Sequence, residues 1–177
     1  PTNPYRKPAL RFTAEKAYLD SNYALARQRF ESWLEMETNE GQIILALAGL
    51  MHCAEKLGDT EALMSYSQKL EQKPTIDKYL KEEAQLNLAR SYFTRENWTE
   101  AAQYYGYIRE SSAGDKQAEA YYFESLLLQI DEQYDSSNTH INRMIEALPS
   151  FKEWKMRSLL LMARNFWNLD DIFQAQY

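Results

Sequence analysis

One pattern recurs along this chain at a nearly constant spacing. A large or anchoring residue follows a break, a small residue stands three positions on, and another bulky residue four further. Tyr23, Ala26 and Phe30 show it. So do Trp98, Ala101 and Tyr105, then Tyr134, Ser137 and Ile141, and Ile172 with Ala175 begins another copy. Thr60, Leu63 and Ser67 form a weak member, and a displacement by one residue to Ala62 and Tyr66 fits the sizes better. The anchors at 23, 60, 98, 134 and 172 are 37, 38, 36 and 38 residues apart. A period of this length with two helices per unit is the signature of a helical-hairpin solenoid, in which each hairpin buries its apolar face on the next.

Composition supports helices and nothing else. There is no valine, and Ile and Thr contribute eight residues each, too few β-branched side chains for a sheet protein. Leu (21) and Ala (19), both strong helix formers, dominate the aliphatic set. Five Gly and five Pro exclude turn-rich β folds and Gly-rich nucleotide-binding folds, and 45% hydrophobic residues supply a core and argue against disorder. No proline lies between 75 and 148. The first seven residues read as an extended lead-in. Breaks fall near 21–22, 39–41, 58–59, 73–75, 96–97, 112–115, 131–133, 149–150 and 170, which predicts about ten helices. Ser150 with Glu153, and Asn97 with Glu100, have capping-box spacing. Gly58 and Gly114 suit left-handed helix ends, and Gly106 inside a helix suits a close helix contact.

The residues that carry the repeat also carry a resemblance. The stretch from Ala84 supplies Leu88, Ala89, Tyr92, Trp98, Ala101 and Tyr105. The next supplies Tyr121, Ser125, Leu128, Tyr134, Ser137, Ile141, Met144 and Pro149, and the last Leu159, Met162, Ala163, Phe166, Ile172 and Ala175. The first supplies Ala14, Ala17, Tyr23, Ala26, Phe30 and Trp33. In this order of bulky, small and aromatic positions the chain resembles the tetratricopeptide repeat family over nearly its whole length. Its period exceeds the family's usual 34 by two to four residues, and the unit over 42–73 is degenerate. The resemblance implies an all-α, right-handed α-solenoid (a superhelix) of about five antiparallel helix-turn-helix repeats in a single domain. Their approximate bounds are 8–41, 42–74, 75–113, 114–149 and 150–177, the last one truncated. A start at Pro1 without methionine and a stop at Tyr177 inside a helical pattern predict a segment of a longer protein.

The side chains that could support chemistry do not assemble in the sequence. His52 and Cys53 are adjacent, so on a helix they point about 100° apart. Cys53 is expected near the core, and the lone cysteine leaves the redox compartment open. Two His and one Cys lack metal-site spacing, so no metal and no cofactor are expected. The pairs at 82–83 and 170–171 read as helix-start carboxylates favoured by the macrodipole rather than as an acid/base couple. There is no phosphate-binding Gly-rich loop and no nucleophile elbow, and an enzyme is not expected. A net charge of −6 argues against a nucleic-acid partner. The longest apolar run, 43–51, is half of what a membrane span requires.

In the family it resembles, the first helices of successive units line a concave groove that binds a protein or peptide. Carried over, those positions are Arg11, Glu15 and Tyr18; His52, Glu55 and Lys56; Leu86, Arg90 and Phe93; Tyr122, Leu126 and Gln129; and Leu160, Arg164 and Trp167. Arg11, Tyr18, Arg90, Phe93, Tyr122, Arg164 and Trp167 are the candidate anchors, because aromatics and Arg dominate binding surfaces. Packing on neighbouring helices is the competing role for Phe93, Tyr122 and Trp167. Glu15, His52 and Leu126 break the basic set that family members use to hold a C-terminal carboxylate. Lys152, Lys155, Arg157 and Arg164 form a basic cluster, opposed only by Glu153, where an acidic segment could dock or which is simply a solvated face. The expectation is a non-catalytic scaffold for a partner protein. The alternatives are a helical appendage of an enzyme whose catalytic domain lies outside this segment, and a self-assembly module that packs on a copy of itself as a homo-oligomer or on missing repeats. The uncapped apolar end near 172–177 favours artificial association as well. Localisation, bacterial envelope or cytoplasm, is open, since no address signal is visible.

Overall fold

In the computed structural model, which describes residues 5–175, each of the five anchors is the first residue of a helix. The helices are α1 (Arg6–Leu19), α2 (Tyr23–Met36), α3 (Glu40–Leu57), α4 (Thr60–Glu71), α5 (Lys78–Thr94), α6 (Trp98–Ser111), α7 (Asp115–Ile130), α8 (Tyr134–Ala147), α9 (Lys152–Asn168) and the short α10 (Ile172–Ala175). The described residues contain no strand. Tyr177 of the apolar end lies outside the described residues, as do residues 1–4 of the lead-in. Helix α1 begins at Arg6, earlier than the lead-in predicts, because Pro8 falls in its first turn, where a missing N–H costs nothing.

The repeat is first of all a repeat of one turn. Two residues before each anchor the backbone has positive φ: Ser21 at 59°, Gly58 at 67°, Glu96 at 59°, Glu132 at 58° and Asp170 at 59°. The same two hydrogen bonds flank each of them. Ser21 N–H donates to the Tyr18 carbonyl at 2.9 Å and Asn22 N–H to that of Ala17 at 2.8 Å. The longer bond recurs as Asp59 to Ala54 (3.0 Å), Asn97 to Tyr92 (3.0 Å), Gln133 to Leu128 (2.8 Å) and Asp171 to Phe166 (2.9 Å). This is the Schellman arrangement, which satisfies carbonyls that a helix end leaves orphaned.

The chain divides into two compact units, Pro1–Ser91 and Tyr92–Tyr177. In the first, α1 packs on α2, α2 on α3 and α3 on α4. Ala14, Ala17, Ala26, Phe30, Trp33, Leu50 and Cys53 share one buried cluster, and Ile44, Leu47, Met51, Leu70, Leu80 and Ala84 share another. The α3–α4 hairpin keeps the undisplaced register, against the better size match at Ala62 and Tyr66. Gly58 makes its turn where Ser21 makes the previous one, and Ser67 is fully buried while Tyr66 is only partly so. The sizes are exchanged instead, with Leu63 packed at the small position and Ser67 at the bulky one. In the second unit α6, α7, α8, α9 and α10 pack in sequence, with α7 also on α9. Ala101, Tyr105, Ala118, Ile141 and Met144 are fully buried there. Asn165, also fully buried, donates to Ser137 Oγ and Asn138 Oδ1 (both 2.8 Å) and accepts from Gln129 (2.6 Å), a polar staple through α7, α8 and α9.

Local signals fared unevenly. Neither expected capping box forms: α9 starts after Phe151, which leaves Ser150 one residue outside, and Asn97 has the cap backbone without the side-chain bond. Asn22, Asn39 and Asp59 make the caps instead, accepting from Leu25, Gln42 and Ala62 N–H at 3.0–3.2 Å. Gly114 has positive φ (70°) but with ψ at −135° it precedes α7 rather than ending α6 in a left-handed turn. Glu82 and Glu83 lie inside α5, not at its start, and pair with Lys78 (3.5 Å) and His52 (3.1 Å).

Gly58 isolates the conformational cost of the turn, because an added Cβ there would meet nothing within 4 Å. Gly58→Ala should lose about 1 kcal/mol, while Glu132→Gly should gain up to about 0.5 kcal/mol, the left-handed strain relieved minus the added chain entropy. Thermal unfolding by circular dichroism checks both signs. A Cβ on Gly49 would sit 2.5 Å from Cζ of the buried Phe30. Gly49→Ala should therefore cost about 1–3 kcal/mol, and Phe30→Leu in the same chain should recover part of it.

Candidate functional site

The first helices of the hairpins carry the groove candidates, and each unit arranges its own. In the first unit Arg11 donates to Glu15 (2.8 Å) and Gln42 (3.2 Å), with its guanidinium 5.7 Å from the Trp33 ring centroid. Tyr18 meets Tyr23 edge-on at 5.3 Å and lies 6.4 Å from the His52 ring. Burial pushes the Tyr18 hydroxyl above its ordinary pKa. The hydrogen bond to Glu83 raises that of His52 despite the ring's burial. Glu15, Tyr18, Gly49 and His52 share a small cleft of about 320 Å³. Arg90 is exposed on α5. His52 thus turns toward α5 while Cys53 is fully buried, its thiol pushed up to about 11 by burial, so the two do not form a nucleophilic pair.

In the second unit Phe93 and Tyr122 enter an aromatic cluster. Phe93 lies 5.2 Å from Trp98 and 4.8 Å from Phe123, which stacks on Tyr105 at 4.8 Å with planes 4° apart. Tyr122 reaches Trp154 at 5.7 Å. Trp154 donates to Asp115 (2.9 Å), and the Arg157 guanidinium stands 4.9 Å over its ring while bonded to Glu153 (2.7 Å). Arg157 of the basic cluster is therefore engaged within α9. Arg164 and Trp167 stand apart from this cluster: both are exposed, Trp167 by 64%, beside a depression of about 310 Å³ with Gln129 and Asn168. Phe123 and Trp154 were not singled out by sequence, since adjacent aromatics in α7 do not reveal which one turns inward.

A polar cluster joins α6, α7 and α8 in the same unit. Glu124 accepts from Arg109 Nε at 2.8 Å, and His140 Nε2 lies 3.8 Å from the same carboxylate oxygen. His140 Nδ1 is 3.3 Å from Ser125 Oγ. Glu124 and His140 side chains are each 16% exposed. Burial outweighs Arg109 and raises Glu124 to about 7, and burial with the nearby Arg109 lowers His140. A Cβ on Gly106 would stand 3.5 Å from Glu124 Oε1, an ordinary van der Waals contact, and would meet no neighbouring backbone within 4 Å, so the close helix contact expected at this glycine is not found. Among the described residues no group of three metal-ligating side chains exists, and no helix is long and apolar enough to cross a membrane.

Because Glu124 holds its proton more tightly folded than unfolded, its contribution to stability falls as pH rises from about 4.5 to about 7 and is level above that. His140, with a lowered value, contributes the opposite slope. Between wild type and Glu124→Gln the groups that do not touch Glu124 cancel. His140, 3.8 Å from the carboxylate, loses an anionic neighbour in the variant and is lowered further, which adds to the expected sign. Melting temperatures at pH 5 and pH 7.5 should show Glu124→Gln gaining on wild type at the higher pH.

No protein-family model matches the sequence, and no curated protein matches it. Solved structures do share the arrangement. A crystal structure of MamA superposes with a TM-score of 0.75 at 14% identity, over 98% of this chain and 88% of that one. A MamA RS-1 double mutant gives 0.72 at 15% identity, over 97% and 89%. A Podosopora anserina protein described as a kinesin light chain with nearly identical TPR-like repeats gives 0.65 at 11% identity, over 98% and 92%. At these identities the likeness is one of fold. The fold of this chain is that of a tetratricopeptide-like array of helical hairpins.

Proposed function

We propose that this chain is a non-catalytic scaffold that holds a partner protein or peptide against the first-helix faces of its hairpins. The observation that carries the reading is the pair Arg164 and Trp167 on α9. An indole 64% exposed beside an exposed guanidinium and a shallow depression is a costly surface to keep, and Trp and Arg are the side chains that most often anchor interfaces. Phe93 and Tyr122 are half-buried and would act by shaping the α5 and α7 faces, while Arg11, Tyr18 and the exposed Arg90 would serve the first unit. The test is capture of a partner by the immobilised chain. Arg164→Glu and Trp167→Ala should each lower recovery of that partner about tenfold or more, and Arg90→Glu should weaken it as well. Undiminished capture by all three would rule the assignment out.

Self-association is a second reading, favoured by the run of exposed apolar side chains Met156, Leu160, Trp167, Ile172 and Phe173 on α9 and α10. Light scattering over a concentration series separates the two. A scaffold stays monomeric while Trp167→Ala still abolishes capture, whereas a self-assembly module dissociates on the same substitution.

A further inference from the structure

The repeat allows one unit to be compared with the other, position by position, counted from the left-handed turn residues. Arg27 and Ala102 both lie six residues after such a residue, Ser21 and Glu96. In the first unit Arg27 occupies the space between α2, α3 and α4. Its guanidinium bonds Asp59 at 2.7 Å and Glu31 at 3.0 Å, and Tyr66 donates to Glu31 at 3.2 Å. The matching positions in the second unit are Ala102 for Arg27, Gly106 for Glu31 and His140 for Tyr66. Across the hairpins these columns read Arg27, Met64, Ala102 and Asn138, and Glu31, Gln68, Gly106 and Asn142. The smallest side chain of each column falls in the same hairpin.

A cleft of about 650 Å³ results, between α6, α7 and α8. Its walls include Trp98, Ala102 and Leu127, and its polar groups include Glu124, Asp131 and His140. Glu124 itself breaks a column: the residues at its position in the other hairpins are Thr13, Leu50, Leu88 and Met162, of which Leu50 and Leu88 are fully buried. A carboxylate placed where the packing calls for Leu is a local rule broken, and such breaks concentrate at functional sites. The lining carries two carboxylates and no Lys or Arg. Arg109 meets Glu124 without lining the cleft.

We propose that this cleft receives an arginine side chain of a partner protein in the space that Arg27 fills in the first unit, held by Glu124 and Asp131, since Gly106 and Gln133 stand where Glu31 and Asp59 hold Arg27. The aliphatic stem lies against Leu127 and Ala102, the planar cation faces the Trp98 ring, and its N–H groups reach Glu124 and Asp131. An ammonium lacks the plane that an indole face favours, so arginine is preferred to lysine. None of the seven groove candidates lines the cleft, so this site and the scaffold surface can fail separately.

The test is titration of isotopically labelled protein with butylguanidinium, with butylurea as the neutral planar control and butylammonium as the compact cation. The readout is the NMR shifts of the Trp98 indole and of the amides of Ala102, Leu127 and Asp131. Butylguanidinium should give saturable shifts confined to these groups, with binding at least about fivefold tighter than butylammonium, and butylurea should not saturate. Ala102→Arg places a guanidinium inside the cleft and should weaken binding about tenfold or more. Ala102 is exposed, so the helical circular dichroism should be retained, and Ala102→Leu blocks the cleft if the Arg variant fails to fold. Adding Gln133→Asp, the counterpart of Asp59, should raise the melting temperature of the Arg variant. Equal shifts with butylurea, equal or tighter binding of butylammonium, or binding undiminished by both Ala102 substitutions would overturn the proposal.

Discussion

Each hairpin closes on a single residue forced into the left-handed region, and the spacing of everything else is set from there. Four of the five residues that make this turn are not glycine. Each costs on the order of 1 kcal/mol, offset by two backbone hydrogen bonds that complete the helix end. Because the reversal is the same each time, the next helix starts two residues later in every case, on Tyr23, Thr60, Trp98, Tyr134 or Ile172. Ser, Gly, Glu, Glu and Asp share no side-chain chemistry that would predict one conformation. The backbone arrangement repeats where the residue type does not.

Packing follows from that fixed starting point. Three residues into the second helix, Ala26, Ala101 and Ser137 are fully buried, and four further on Phe30, Tyr105 and Ile141 fill the space beside them. The α3–α4 hairpin shows that the volume matters more than its order, since Leu63 and Ser67 exchange sizes without moving the turn. Such columns need either a very small side chain or a long or planar one. Valine is too large for the one and too short for the other, whereas Ile141, equally branched but longer, is accepted, which gives a physical sense to the absence of valine.

The anchors and breaks were legible because each places a bulky residue just after polar ones, a contrast that survives in one dimension. The caps were less so. Asn22, Asn97 and Asp59 have nearly the same backbone, but only Asn22 and Asp59 accept the bond, a difference of side-chain rotation that spacing does not encode. The groove positions could be counted along the helices, yet whether Phe93 faces solvent depends on Phe123, thirty residues away. The Arg109, Glu124 and His140 cluster was invisible for the same reason. Its members sit on three helices, and no spacing along the chain brings them together.

A tandem array carries its own control experiment, because unequal columns stand in equivalent surroundings. Replacing a buried Leu by Glu in one hairpin would ordinarily leave a desolvated charge, which is why burial lifts Glu124 so far above the carboxylate range. Three further departures surround it: on α6 Gly106 stands where other hairpins carry Glu31, Gln68 and Asn142, and Arg109 supplies a cation, while on α8 His140 stands where the two preceding hairpins carry Tyr66 and Tyr104. Independent drift would scatter such changes over the columns. Here they meet on the three helices around one cleft, while the backbone geometry of the turns is the same as in the neighbouring hairpins. The fold is thus fixed by what the hairpins have in common, and its chemistry is to be sought where one of them differs.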